Sequence, residues 1–283
     1  MSQLDSMYAA VECIEANLRQ PIRVADMAES VAYSLYHFCR TFNATVCHTP
    51  YDYLMRRRLS ESARELVESD RKIIDIACDY GFKNPETYSR AFRRMFEMQP
   101  SQWRKRGLIE IRRLMPRLSL AYLEHINRGN YLKPVLVEKE AFQVAGLMTL
   151  VDEDRAVSEK LWGVLAQELG KMGIEPEKFT GIAWYPEGGQ EGGYFYMAGV
   201  EVTSIDNSNS ALVVKSIPAS KYACFIHKGP SQNLPFTLDY VYHTWLPSSG
   251  ERLAYPLEIE EFGVDLGVRE HEQAERGIFI PIE

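Results

Sequence analysis

The chain has 283 residues, a formal net charge of −7 and no apolar run near the roughly 20 residues of a membrane span. That length allows two domains, each with its own core, and five cysteines (Cys13, Cys39, Cys47, Cys78, Cys224) without a C-x-x-C pair exclude a disulfide framework or zinc site. The opening MSQLDSMYAAVECIEANLRQ lacks the basic-then-apolar order of a secretory leader, so the expected location is the cytoplasm. The charge is split by position: residues 1–113 hold 18 Lys and Arg against 15 Asp and Glu, and residues 114–283 hold 14 against 24. A basic and an acidic half imply different partners.

From Tyr8 to Arg106, apolar residues at three- and four-residue spacing predict seven short helices. Thr49-Pro50 opens a longer one, a central strut whose apolar face is Tyr51, Leu54, Met55, Leu59, Ala63 and Leu66. Asn84-Pro85 gives the same start signal, and Gly81 follows Ile73–Tyr80 where a helix ends in a left-handed residue. Side by side, VADMAESVAYSLYHFCRTF and IIDIACDYGFKNPETYSRAF show a repeat of about 50 residues with one extra residue in the second turn. Each copy is a helix, a tight turn and a helix.

Residues 108–133 form a partly helical connection, broken at Pro116 and ending near Arg128-Gly129-Asn130. Beyond it come short strand-like runs at Phe142–Leu150, Gly181–Tyr185, Tyr194–Val202, Ala211–Ile217, Ala223–His227 and Ile278–Ile282. Helices around Ser158–Met172 and Leu234–Leu246 interrupt them, so this half is itself duplicated as strand, helix, strand, strand. The expected fold is multidomain: an all-α region over 1–107, the connection over 108–133, and an α+β region over 134–283, its antiparallel sheet carrying the helices on one face.

A helix-turn-helix lays its second helix in the major groove, with exposed side chains against base edges. In the first copy that helix starts at Ser34, a plausible N-cap. Leu35, Tyr36, Cys39 and Arg40 point outward; Phe38 and Phe42 point inward. In the second copy it runs from Asn84 and exposes Glu86, Thr87 and Arg90, with Tyr88, Ala91 and Phe92 turned to the core. Arg40 and Arg90 share one offset and suit a two-pronged contact to guanine; Tyr36 suits a thymine methyl. Arg56-Arg57-Arg58 is either sequence-independent phosphate contact or a charged surface. His37 and His48 are read as surface or capping residues.

The stretch DIACDYGFKNPETYSRAFRRMFEMQPSQWRKRG resembles the second-motif signature of the AraC/XylS family of bacterial regulators, a likeness covering about residues 8–107. It implies two recognition helices in adjacent major-groove segments, with Ser34, Leu35, Tyr36, Cys39 and Arg40, then Asn84, Glu86, Thr87 and Arg90, at the DNA. Cys39 stands where a longer polar side chain is common. Glu86 brings a negative charge toward the DNA and suits a hydrogen bond from cytosine.

PVLVEKEAFQVAGL, HKGP, WLPSSGERL and the final GIFIPI resemble the GyrI-like effector domain found in Rob-like members of that family. The resemblance implies an aromatic-lined pocket between the duplicated halves with a buried carboxylate for cationic ligands, best matched by Glu258, with Glu260 and Glu261 as alternatives. Independently, a flat lipophilic cation gains from ring faces and one desolvated carboxylate. Trp162, Trp184, Tyr194, Tyr196 and Trp245 head the candidate rings, the set counting for more than any member. Strand alternation puts Tyr194 and Tyr196 on one face and Phe195 on the other.

The function expected is therefore a ligand-responsive transcription regulator whose partners are double-stranded promoter DNA, a small-molecule effector and RNA polymerase, with no membrane contact and no cofactor. The alternatives are a small-molecule hydrolase, in which Trp184 or Tyr194 beside Glu258 polarises water, and a protein-binding module. No nucleophile motif, metal cluster or phosphate loop supports an enzyme.

Overall fold

The computed structural model describes residues 2–128, 132–151, 156–186, 193–202, 212–263, 265, 271 and 273–283. The chain forms two compact units, one of Met1–Arg128 with Leu238–Ser248, the other of Gly129–Thr237 with Ser249–Glu283. The end of the connecting stretch at Gly129-Asn130 and the strand start at Ala211 lie outside the described residues.

The first unit contains α1 (Gln3–Ala16), α2 (Val24–Ser30), α3 (Leu35–Val46), α4 (Pro50–Glu68), α5 (Ile73–Asp79), α6 (Pro85–Phe96), α7 (Pro100–Arg106) and α8 (Leu120–Asn127). The repeat is visible in the backbone. α3 and α6 are each 12 residues long. Ser34 Oγ accepts from the His37 N–H (3.4 Å) and Asn84 Oδ1 from the Thr87 N–H (2.8 Å), capping both helices alike. Both end in a left-handed residue, Cys47 (φ 63°) and Glu97 (φ 60°), and each is followed three residues later by a proline, Pro50 or Pro100.

α4 is the strut. Leu59, Ala63 and Leu66 pack on a core with Ile76, Tyr88, Phe92, Phe96 and Trp103, and Trp103 Nε1 donates to the Ala63 carbonyl at 3.0 Å. Tyr51, expected on this face, is instead 62% exposed. Arg57 and Arg58 also correct the expectation of a charged surface: both are buried. Arg57 grips Glu15 through Nε (2.7 Å) and Nη2 (2.9 Å) and donates to the Met115 carbonyl (2.8 Å). Arg58 donates to the carbonyls of Leu18 (2.8 Å) and Gln20 (2.7 Å). A Cβ at position 81 would lie 2.6 Å from Arg58 Nη1, so Gly81, at φ +79°, is required on both counts. Only Arg56 of the three reaches the side, 2.8 Å from Asp52.

The connecting stretch is pinned to the strut: Leu114, Met115 and Leu118 are buried, Ser60 Oγ accepts from the Met115 N–H (2.8 Å), and Tyr53 OH accepts from the Leu118 N–H (3.2 Å). Leu238–Ser248 completes this unit. His48, read as a surface or capping residue, is buried, with Nδ1 2.9 Å from Asp52 and Nε2 3.0 Å from Thr244 Oγ1. The Arg112 guanidinium lies over the Tyr242 ring, 4.6 Å from its centroid.

The second unit is an eight-stranded antiparallel sheet of β1 (Val135–Lys139), β2 (Phe142–Val151), β3 (Phe179–Trp184), β4 (Tyr194–Val202), β5 (Val213–Ile217), β6 (Ser220–Lys228), β7 (Leu257–Phe262) and β8 (Glu275–Ile282). The order β1-β6-β8-β7-β3-β4-β2-β5 sets the two halves side by side at β7–β3. The first strand of each half, β1 or β5, pairs at the far edge of the other half. α9 (Ala156–Lys171) follows β2; α10 (Leu234–Tyr240), a π-turn at Val241–Trp245 and α11 (Leu246–Ser249) follow β6. Residues of one sheet face, Val151, Phe179, Ala183, Tyr196, Ala198 and Phe262, pack with Trp162, Leu165 and Leu169 of α9. Those of the other, Val144, Ile182, Met197, Tyr222, Leu257 and Ile259, form a second cluster. Alternation along each strand assigns the faces.

Candidate DNA interface and effector site

The duplicated geometry presents two matched outward surfaces. On α3, Leu35 is 52% and Tyr36 79% exposed, Ser34 and Arg40 are exposed, and Cys39 is half-buried. On α6, Asn84, Glu86, Thr87 and Arg90 are exposed. Ser89 occupies the half-buried place of Cys39, fifty residues earlier. Phe38 and Phe42, and Tyr88 and Phe92, are fully buried beneath these surfaces. Leu35 and Tyr36 thus leave two large side chains in solvent on adjacent residues of α3.

Sequence reasoning missed part of the second surface. A groove of about 510 Å³ is lined by Glu86, Ser89, Arg90, Arg93, Arg94 and Gln99. Arg93 and Arg94 stand three and four residues after Arg90, so one helix face carries all three, and this spacing was available in RAFRR.

In the second unit, β7 carries Glu258, Glu260 and Phe262 on the α9 side of the sheet; both carboxylates are buried. Tyr185 OH donates to Glu258 Oε2 (3.2 Å), and the Tyr185 ring stacks on Tyr194 at 5.1 Å between centroids. Trp162 Nε1 donates to Tyr196 OH (3.1 Å), which in turn donates to Glu260 Oε1. A Cβ at position 181 would lie 2.6 Å from Glu260 Oε1 and 2.7 Å from Tyr196 OH, so glycine on β3 makes room for this contact. Trp162, Tyr194, Tyr196 and Glu258 are thus brought to one face. Trp184 is not: it packs on the opposite face, with the Val144, Ile182 and Leu257 cluster. Trp245 lies in Leu238–Ser248, which groups with the first unit. Glu261, the third carboxylate considered, also faces away and pairs with Lys139 and, at 3.1 Å, Lys178.

The GyrI-like small molecule binding domain family matches residues 132–283, more than half of the chain, and the helix-turn-helix domain family matches residues 27–106. The chain belongs to the GyrI-like family and carries an AraC-type helix-turn-helix domain before it. It is similar to the regulatory protein SoxS of Salmonella typhimurium, 35% identical over 106 residues, which are 38% of this chain and 99% of SoxS. It is 29% identical over 127 residues to the multiple antibiotic resistance protein MarA of the same organism, 44% of this chain and 93% of MarA. An AraC-type regulator structure from Chromobacterium violaceum covers 36% of this chain and 92% of its own, at 25% identity and a TM-score of 0.35. Within this GyrI-like chain no helix among the described residues is long and apolar enough to cross a membrane, and no cluster of three or more His, Cys, Asp or Glu suits a metal ion.

Proposed function

We propose that this AraC-type, GyrI-like protein is a sequence-specific transcription regulator that reads double-stranded promoter DNA with α3 and α6 and binds an aromatic, cationic effector on the α9 face of its sheet. The observation that carries it is the pairing of Arg40 and Arg90, each exposed at the same place on helices that match in length, cap and terminus. Ser34, Leu35, Tyr36 and Cys39 join Arg40 at one major-groove segment; Asn84, Glu86 and Thr87 join Arg90 at the next. Arg93 and Arg94 fit phosphate contacts, which add affinity without sequence choice. Trp162, Tyr185, Tyr194, Tyr196 and Glu258 are the effector contacts, with ring faces and a buried carboxylate suited to a delocalised cation. Effector binding then changes either DNA affinity or the surface offered to RNA polymerase.

Fluorescence anisotropy on the protein's own upstream DNA and on a scrambled duplex tests this. A preference of about 10³-fold or more for the promoter is expected of a specific regulator. Equal, steeply salt-dependent binding to both duplexes would reduce the contact to electrostatic attraction and contradict the reading.

A further inference from the structure

Glu260 is a buried carboxylate that already has a cation. Arg276 on β8, its side chain 1% exposed, places Nη1 3.2 Å from Glu260 Oε2, and its Nη2 donates to Ser231 Oγ at 2.8 Å. The other carboxylate oxygen accepts from Tyr196 OH, itself held by Trp162, so a hydrogen-bonded chain runs from α9 across the sheet to Ser231. The Phe262 ring lies under the guanidinium at 5.8 Å and edge-on to Trp162 at 4.8 Å. Cation, carboxylate and rings therefore already stand together, with the cation supplied by the protein.

The Arg276–Glu260 contact is longer than either contact of the buried Arg57–Glu15 pair, 2.7 and 2.9 Å. A buried ion pair contributes little net stability, whereas removing one partner alone is costly. Exchanging one cation for another keeps Glu260 compensated, and the displaced Arg276 guanidinium must then move toward solvent, since left buried alone it would carry that same cost. Ser231 opens the 3-10 turn Ser231–Asn233, which runs directly into α10, and the segment Leu238–Ser248 groups with the DNA-binding unit.

We propose that Arg276 is a resident counter-ion that a cationic effector displaces from Glu260, and that this displacement releases Ser231 and loosens the turn at the start of α10. The proposal rests on the α9 face taking a cation, adds Glu260 to Glu258 as a carboxylate that the cation meets on the same face of β7, and adds the event that such a ligand triggers. It makes the site a switch: the ligand's charge, more than its apolar area, is what frees the turn.

The test uses the full-length protein, tetraphenylphosphonium as probe and neutral triphenylphosphine oxide as control, with binding measured by calorimetry. Arg276→Met should bind tetraphenylphosphonium about tenfold more tightly than the native chain, with the control unchanged, since no resident cation competes. Ser231→Ala, which removes one hold on Arg276, should gain about threefold in the same selective way. In the native chain, tetraphenylphosphonium should speed amide exchange over residues 231–237, and the control should not. If the native chain binds the cation but both variants bind it equally or more weakly, displacement is wrong while the cationic reading stands. If the native chain does not bind the cation, both fall. Should Arg276→Met fail to fold, Ser231→Ala and the exchange measurement decide.

Discussion

The two helix-turn-helix copies share their skeleton and differ in nearly everything they show. α3 and α6 have equal lengths, equivalent side-chain caps and left-handed ends, and each buries two aromatic rings at matching positions. Outward, α3 offers Leu35, Tyr36 and His37 before Arg40, an apolar and aromatic surface; α6 offers Glu86, Thr87, Arg90, Arg93 and Arg94, a charged one. The helices that follow diverge too. α7 stops at Gly107, fifty residues after Arg57, whereas α4 runs on for 19 residues and buries Arg57 and Arg58. Duplication has preserved what closes each copy and let the exposed side chains differ, so on the proposed reading base preference, salt dependence and anchoring should separate between the copies.

The anchoring difference gives the largest effect. Arg57→Met leaves Glu15 buried without its cation and should cost about 3–5 kcal/mol in urea unfolding. Arg106→Met, which breaks a half-exposed pair with Glu110 at the matching end of α7, should cost less than about 1 kcal/mol. Equal costs would show that the strut is not special to the first copy.

Acid should act on the buried histidines around the first unit. Burial, with Arg56, His48 and Arg112 nearby, pushes His243 down to about 3, and burial with Arg128 pushes His125 down to about 4. Below the unfolded value near 6.5 the unfolded chain binds the proton first, so stability is full above pH 6.5 and falls as pH drops. Between pH 7.5 and 5 each should cost about 2 kcal/mol, and His243→Phe should flatten the profile. An unchanged slope in that variant would place the titration elsewhere.

Removing Arg40 or Arg90 should each weaken specific binding by about 1–3 kcal/mol, while Arg93→Gln or Arg94→Gln should lower the salt slope by about one without changing base preference. The smallest effect tests the shared ends: Glu97→Gly, at φ 60°, should stabilise the protein by about 1 kcal/mol. No gain would mean that the left-handed turn carries no strain there.

Much of the helical half was legible because its signals are local: Thr49-Pro50 and Asn84-Pro85 mark starts, and the outward and inward residues follow from 3.6-residue periodicity. Arg57 and Arg58 were misread because their partners, Glu15, Leu18 and Gln20, lie about 40 residues away. β7 escaped as a strand because three glutamates in LEIEEF mask a segment that is nearly all buried. Glu258 was found, but Arg276 and the opposite facing of Trp184 depend on sheet order and register, which no local pattern encodes.

The most direct test of the central claim, that both copies read bases, is anisotropy on the bound promoter site with single base pairs replaced in turn, for the native chain, Arg40→Ala and Arg90→Ala. Each variant should lose preference at its own cluster of positions, the clusters lying about one helical turn apart. Loss at one shared cluster, or full preference kept in both variants, would contradict the account.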